Sequence, residues 1–219
     1  MIAVDRRGHG ASESGPPEYS LAQEVADLAA VIEACETPVD LLGHSYGGLV
    51  SLEAALLDLP IDRLIVYEPS IDDDPAFPGI VERVSELQRQ GENERAAETL
   101  LVERSGVPPE ALGAVRELPL WPIVLRGGAV LPREGRAIID YRFEPERFAN
   151  LIVPTLVLLG ETSPDFRHEA MHRLDRALPT SRLCVLSGQG HVATHTDPDL
   201  LASEILDFLG DHAAEGSGT

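Results

Sequence analysis

Cysteine is scarce in this chain of 219 residues: only Cys35 and Cys184 occur, too few for a disulfide framework. Cys35 falls in a stretch with helical spacing and Cys184 in an apolar run, so both read as reduced, buried small side chains. Long apolar runs are missing as well. No stretch approaches the roughly 18 residues a membrane helix needs, so a spanning helix is not expected. No basic segment leads into an apolar one at the start, so no signal peptide is read and the cytoplasm is the expected compartment. Basic charge is the third scarcity. Against 37 acidic residues stand 17 basic ones, a formal net charge of −20. Such a surface repels phosphate backbones and anionic membranes, so neither nucleic acid nor membrane is an expected partner. The charge serves solubility first, and it would disfavour an anionic substrate. Internal repeats are also lacking.

What is present suits one domain with room for an insertion: 43% of the residues are apolar and a quarter are charged. Short apolar runs at Ile2–Asp5, Pro38–Leu42, Asp62–Tyr67, Pro154–Leu159 and Arg182–Leu186 read as strands. Between them lie helical spacings at Tyr19–Ala34, Leu49–Leu57, Phe166–Leu178 and Pro198–Leu209. Strands alternating with helices predict an α/β fold on a mostly parallel sheet. The alternation stops near Ile71. From Asp72 to Asn150 the pattern is helical only, with helices over Val81–Gln90, Glu92–Arg104 and Pro109–Leu118. About 80 residues is a subdomain rather than a loop. The tail, 211–219, is small and polar and is expected to be disordered.

One motif carries chemistry. Gly43-His44-Ser45-Tyr46-Gly47-Gly48 stands between a predicted strand and a predicted helix. A sharp turn there strains the backbone at the serine, and glycines two before and two after relieve the crowding. The hydroxyl then projects above the sheet as a nucleophile, with the Tyr46 N–H as an oxyanion donor at the helix start. The plainer reading is a glycine-rich turn with Ser45 as helix N-cap and His44 as a packing residue.

A serine nucleophile needs a base. Of the seven histidines, His191 follows the last predicted strand through Ser187-Gly188-Gln189-Gly190, in the kind of loop where sites on parallel sheets gather. His9 lies in an early turn, His168 and His172 on a helix, and His212 in the tail. His195, four residues on, would suggest a metal pair with His191, but nothing nearby supplies further ligands, so no metal is expected.

The segments Gly43–Gly48, Arg7-Gly8-His9-Gly10-Ala11-Ser12 and Gly188-Gln189-Gly190-His191 resemble the α/β-hydrolase superfamily over roughly residues 1–209. The resemblance implies a discontinuous core at 1–71 and 151–210 and a helical cap over 72–150 that lines the substrate pocket. Trp121, Tyr141, Phe143 and Phe148 are candidate pocket walls, or equally cap core. It also implies a triad in the order nucleophile, acid, histidine. The usual acid position, third after Gly160, holds Ser163. That leaves Glu68, where some family members carry their acid, ahead of Asp165, whose plainer role is a helix N-cap, and Glu161. The family has strands and an oxyanion loop ahead of the one matching Ile2–Asp5. Either Ile2–Asp5 pairs directly with the Val39 strand, or the sequence begins at an internal methionine of a longer gene; the second is the expectation.

The expected function is a serine hydrolase without cofactor. Its substrate is a small, neutral, fairly apolar ester or related acyl compound, with Ser45 as nucleophile, His191 as base and Glu68 as orienting acid. Carbon–carbon bond hydrolysis or acyl transfer would use the same triad. The alternative is a catalytically impaired ligand-binding protein that keeps the pocket and lacks half an oxyanion hole.

Overall fold

The computed structural model describes residues 1–15, 18–71, 73–118 and 121–211. The expectation of a disordered tail falls, from 212 on, outside these. The chain divides into two compact units: Met1–Glu24 with Asp74–Tyr141, and Val25–Asp73 with the rest.

In the second unit, helix α1 (Leu21–Glu33), most of which belongs here, precedes strand β1 (Val39–His44), α2 (Tyr46–Ala55) and β2 (Ile61–Tyr67). The sheet resumes with β3 (Thr155–Gly160), α7 (Asp165–Ala177), β4 (Ser181–Leu186), a short α8 (Ala193–Thr196) and α9 (Pro198–Asp211). The four strands are all parallel in the order β1-β2-β3-β4. Burial follows that order. Every residue of β3 is buried, as is the end of β2, which explains their unbroken apolar runs. The edge strands β1 and β4 are only partly covered. Leu156 and Leu158 of β3 and Ile65 and Tyr67 of β2 form a core with Leu201 and Phe208 of α9. Asp40 and Arg63, register partners on β1 and β2, add a two-pronged ion pair at 2.6 and 2.8 Å.

In the first unit, α3 (Phe77–Arg89), α4 (Asn93–Glu103) and α6 (Trp121–Asp140) pack on one another, joined by a 3₁₀ turn and the short α5 (Leu112–Arg116). Phe77, Ile80, Val81, Val84, Ala96 and Leu131 make their core. The 20-residue α6 runs through Pro132, a helix breaker that masks its helical spacing in the sequence. Arg6, His9 and Glu24 join this unit through buried charge. Arg6 reaches Glu134 at 2.9 Å and Glu24 at 3.5 Å, and His9 reaches Glu134 at 2.8 Å. Burial pushes the Glu134 carboxyl up, but hydrogen bonds from His9 and Arg6 and the Arg6 charge outweigh it and hold it low.

The structure corrects several expectations. Ile2–Asp5 forms no strand and pairs with nothing in the sheet, and Met1, Ile2 and Val4 are exposed. Asp5 instead closes a turn, accepting from Ala11 N–H at 2.9 Å and the Ser12 hydroxyl at 2.7 Å. An apolar run becomes a strand only where a neighbour offers a ladder, and among the described residues β1 pairs with β2 alone. Cys35 and Cys184 are free but only half-buried. Phe143 and Phe148 stack at 5.1 Å within the sheet unit, where Phe148 is wholly buried core rather than a pocket wall. Trp121 and Tyr141 stand at the two ends of α6, both partly buried. No helix among the described residues is long and apolar enough to cross a membrane.

Leu158 lies at 0% exposure in the centre of the sheet core. Leu158→Ala is expected to cost about 2–5 kcal/mol, read as a lowered urea midpoint by circular dichroism.

Candidate active site

β1 ends at His44, and the chain turns through Ser45 directly into α2. Ser45 sits at φ 54°, ψ −122°. Such a conformation costs a non-glycine residue about 1–3 kcal/mol and persists only where the surroundings impose it. Here its N–H donates to the Tyr67 carbonyl at 2.9 Å, while its carbonyl accepts from Leu49 and Ser70 N–H, each at 3.1 Å. A Cβ at Gly43 would meet the Gly47 carbonyl at 2.6 Å, and one at Gly48 would press on Pro69 at 3.0 Å. One at Gly47 would meet nothing within 4 Å. The steric demand expected two residues past Ser45 therefore falls three residues past it. Ser45 occupies the N-cap position, but its hydroxyl makes no cap bond. It lies 3.1 Å from His191 Nε2 instead. Tyr46 opens α2, at the helix end toward which backbone N–H groups point.

Glu68 follows β2 with a left-handed backbone (φ 41°) and is wholly buried. A carboxylate out of water must have its charge met. His191 Nδ1–H donates to Oε2 at 2.6 Å. Gly160 N–H and the Ser163 hydroxyl donate to Oε1 at 2.8 and 2.5 Å. Arg167, 1% exposed, brings its Nε to 3.6 Å from Oε2, beyond hydrogen-bond range but near enough for its charge to act. With Nδ1–H committed to Glu68, Nε2 is the nitrogen that faces the Ser45 hydroxyl as an acceptor. Ser163, at the place where the resemblance puts an acid, thus serves Glu68 as a donor.

The other acid candidates lie elsewhere. Asp165 is exposed and is the first residue of α7, whose cap is Pro164 rather than Asp165. Glu161 is exposed and accepts from Gly188 N–H at 2.6 Å and the Ser187 hydroxyl at 3.1 Å, which together hold its carboxyl low. It thereby ties down the loop that leads to His191. The same loop is gripped at Gly190, where a Cβ on Gly160 would stand 2.7 Å from the backbone. Tyr67 brackets His191 itself: its hydroxyl donates to the Gly190 carbonyl and accepts from Ala193 N–H. Burial pushes the Tyr67 phenol up, so it stays protonated and able to donate.

His44 packs, as expected, but against His191. Its ring stacks on Tyr67 at 4.7 Å and lies 4.7 Å from the His191 ring. Its Nε2–H donates to the His191 carbonyl at 2.9 Å. His195 is exposed on α8, and both ring nitrogens of His191 face Ser45 and Glu68. Among the described residues no cluster of His, Cys, Asp or Glu could hold a metal ion.

Sequence reading missed Arg167, Tyr67 and Ser70. Arg167 did leave a signal, because it shares the buried stripe of α7 with Ala170, Met171 and Leu174 at spacings of three, four and seven. A charge on an apolar stripe marks a buried partner.

Desolvation, with the adjoining His191 adding to it, lowers the His44 pKa from 6.5 to about 3. Between those values the unfolded chain binds a proton that the native chain does not. The contribution of His44 is therefore complete above pH 6.5 and lost as pH falls toward 3. His44→Asn is expected to flatten the fall in stability between pH 6 and pH 4 by up to about 1.4 kcal/mol per unit, measured by urea unfolding of both proteins.

The sequence profile of the alpha/beta hydrolase family matches residues 1–204. The 2-(acetamidomethylene)succinate hydrolase of Mesorhizobium japonicum is 25% identical over 218 residues, covering 95% of this chain and 77% of that protein. Among solved structures, an alpha/beta hydrolase from Sphaerobacter thermophilus superposes with a TM-score of 0.76 at 32% identity, over 93% of this chain and 79% of that one. A hydrolase from Pseudomonas aeruginosa gives 0.76 at 26% identity, over 94% and 77%. With the profile spanning nearly the whole chain and the strand, turn and helix around Ser45 set in a parallel sheet, the chain belongs to the α/β-hydrolase family and has its fold.

Proposed function

We propose that the protein is a serine hydrolase acting on a small, neutral ester or related acyl substrate. The observation that supports this most directly is the hydrogen-bonded line from Ser45 Oγ through His191 to the buried Glu68. In this scheme His191 Nε2 takes the Ser45 proton as Oγ attacks the substrate carbonyl. The oxygen, now negative, is met by the Tyr46 N–H at the start of α2. The intermediate collapses, and His191 returns the proton to the leaving alcohol. Water then attacks the acyl-Ser45 ester with His191 again as base, and the acid product departs. Glu68 holds the imidazole's tautomer and offsets the charge it gains at each transfer.

The chemistry uses no metal or organic cofactor. The net charge of −20 argues for a neutral substrate over an anionic one. The hydrolase names of the similar proteins agree with the reaction class.

A fluorophosphonate probe should label Ser45, and Ser45→Ala should abolish the labelling; a folded protein that is not labelled overturns the proposal. Glu68→Gln is expected to lower kcat for p-nitrophenyl acetate by roughly 10⁴-fold, the scale of a lost orienting carboxylate. Asp165→Asn should stay within about twofold of wild type, as expected of a surface substitution. The assignment of Glu68 fails if the two variants behave the other way round.

A further inference from the structure

Beside the reacting hydroxyl stands a second one. Ser70 is 2% exposed, and its Oγ lies 3.5 Å from Ser45 Oγ. Its position is fixed from three sides. Glu68, two residues before, is anchored by its carboxylate; Pro69 is closed against Gly48; and Ser70 N–H donates to the Ser45 carbonyl at 3.1 Å. Among the described residues, Ser45 Oγ is the only hydrogen-bond partner of the Ser70 hydroxyl. At 3.5 Å that bond is at the limit of usefulness. A buried hydroxyl so loosely engaged carries a desolvation cost that alanine in the same corner would not. Such a group needs an explanation.

Its direction of approach supplies one. In the strand order β1-β2-β3-β4, Glu68 and Ser70 beyond β2 and His191 beyond β4 all come to Ser45 from the β2 side. In the proposed scheme that is the side on which His191 Nε2 exchanges protons with the leaving alcohol and with the attacking water. The nucleophile of the first half-reaction, Ser45, is covalently held. The nucleophile of the second, a water molecule, is held by nothing the scheme has yet named, and positioning counts most for an untethered reactant.

Resting on the hydrolase reading above, we propose that Ser70 is a positioning residue for deacylation, its hydroxyl holding the hydrolytic water against the acyl-Ser45 ester. One water hydrogen is donated to Ser70 Oγ and the other is given up to His191 Nε2. The water oxygen forms its bond to the acyl carbon as the carbon–Oγ bond breaks. Ser45 Oγ then takes the proton back from His191, and the carboxylic acid leaves. One water is consumed, and Ser70 ends as it began.

Stopped-flow hydrolysis of p-nitrophenyl acetate separates the two half-reactions. In Ser70→Ala the first release of p-nitrophenol should keep its rate to within about twofold, while steady-state turnover falls about tenfold or more. Acetyl-Ser45 should then accumulate and be visible by intact mass. Hydroxylamine, a stronger nucleophile, should stimulate Ser70→Ala more than wild type, and Ser70→Thr, which keeps a hydroxyl, should restore turnover. Ser70→Cys replaces the alanine variant if that one does not fold, as judged by its melting temperature. The inference is overturned if acylation and turnover fall together, if neither changes, or if Ser70→Thr is as slow as Ser70→Ala. Failure of wild-type Ser45 to react with a fluorophosphonate marks instead the failure of the hydrolase reading; labelled Ser45 with unselective loss in Ser70→Ala marks the failure of this inference alone.

Discussion

Glu68 is wholly buried, and an ionised carboxylate in that position is stable only when donors and positive charge surround it. Each of its partners is delivered by a different segment. Gly160 N–H comes from the end of β3, the Ser163 hydroxyl from the turn that follows, the Arg167 charge from the first turn of α7, and His191 from the loop after β4. Satisfying one charge therefore sets the relative placement of four stretches of chain. The same interaction that keeps the fold from burying an uncompensated ion also aims an imidazole at Ser45. Removing one partner of a buried pair typically costs about 3–5 kcal/mol, so stability and alignment are coupled in this site.

Around that charge the supports are short-range and rigid. Gly160 and Gly190 approach so closely that a Cβ has no room between them, and Tyr67 holds the backbone on both sides of His191. His44 closes the ring by stacking on Tyr67 while its N–H takes the His191 carbonyl. Each removes a freedom from His191, which is the preorganisation that the proposed hydrolase chemistry would use. Ser45 receives the same treatment: its strained backbone is tied to Tyr67, Leu49 and Ser70 at once.

Much of this was legible in the sequence where the signal is local. The apolar runs of β2 and β3 have the length and continuity of buried parallel strands, and the glycines around Ser45 permit the sharp turn that its neighbours Gly43 and Gly48 leave room for. His191 could be found because loops after parallel strands gather at one end of a sheet. Glu68 could be named only through the family resemblance, which allows an acid after the strand that became β2. What could not be read is what depends on distant partners. Ile2–Asp5 has the composition of a strand, yet composition cannot supply a neighbouring ladder, and the segment stays exposed. Helix α6 hides behind Pro132 because its tertiary packing with α3 and α4 outweighs a local penalty. Ser163 reads as the loss of an acid until its hydroxyl is seen against Glu68, 95 positions away. Ser70 carries no motif at all and becomes notable only through its place beside Ser45.

Among the described residues, the buried Glu68 carboxylate is the acid that fixes the His191 ring by accepting its Nδ1–H. A proton so held between imidazole and carboxylate, shielded from water, gives a slowly exchanging NMR signal far downfield of the amides. Proton spectra of wild type, Glu68→Gln and Asp165→Asn test the claim directly. The signal is expected in wild type, unchanged in Asp165→Asn and absent in Glu68→Gln. A signal that survives in Glu68→Gln, or that disappears in Asp165→Asn, would contradict it.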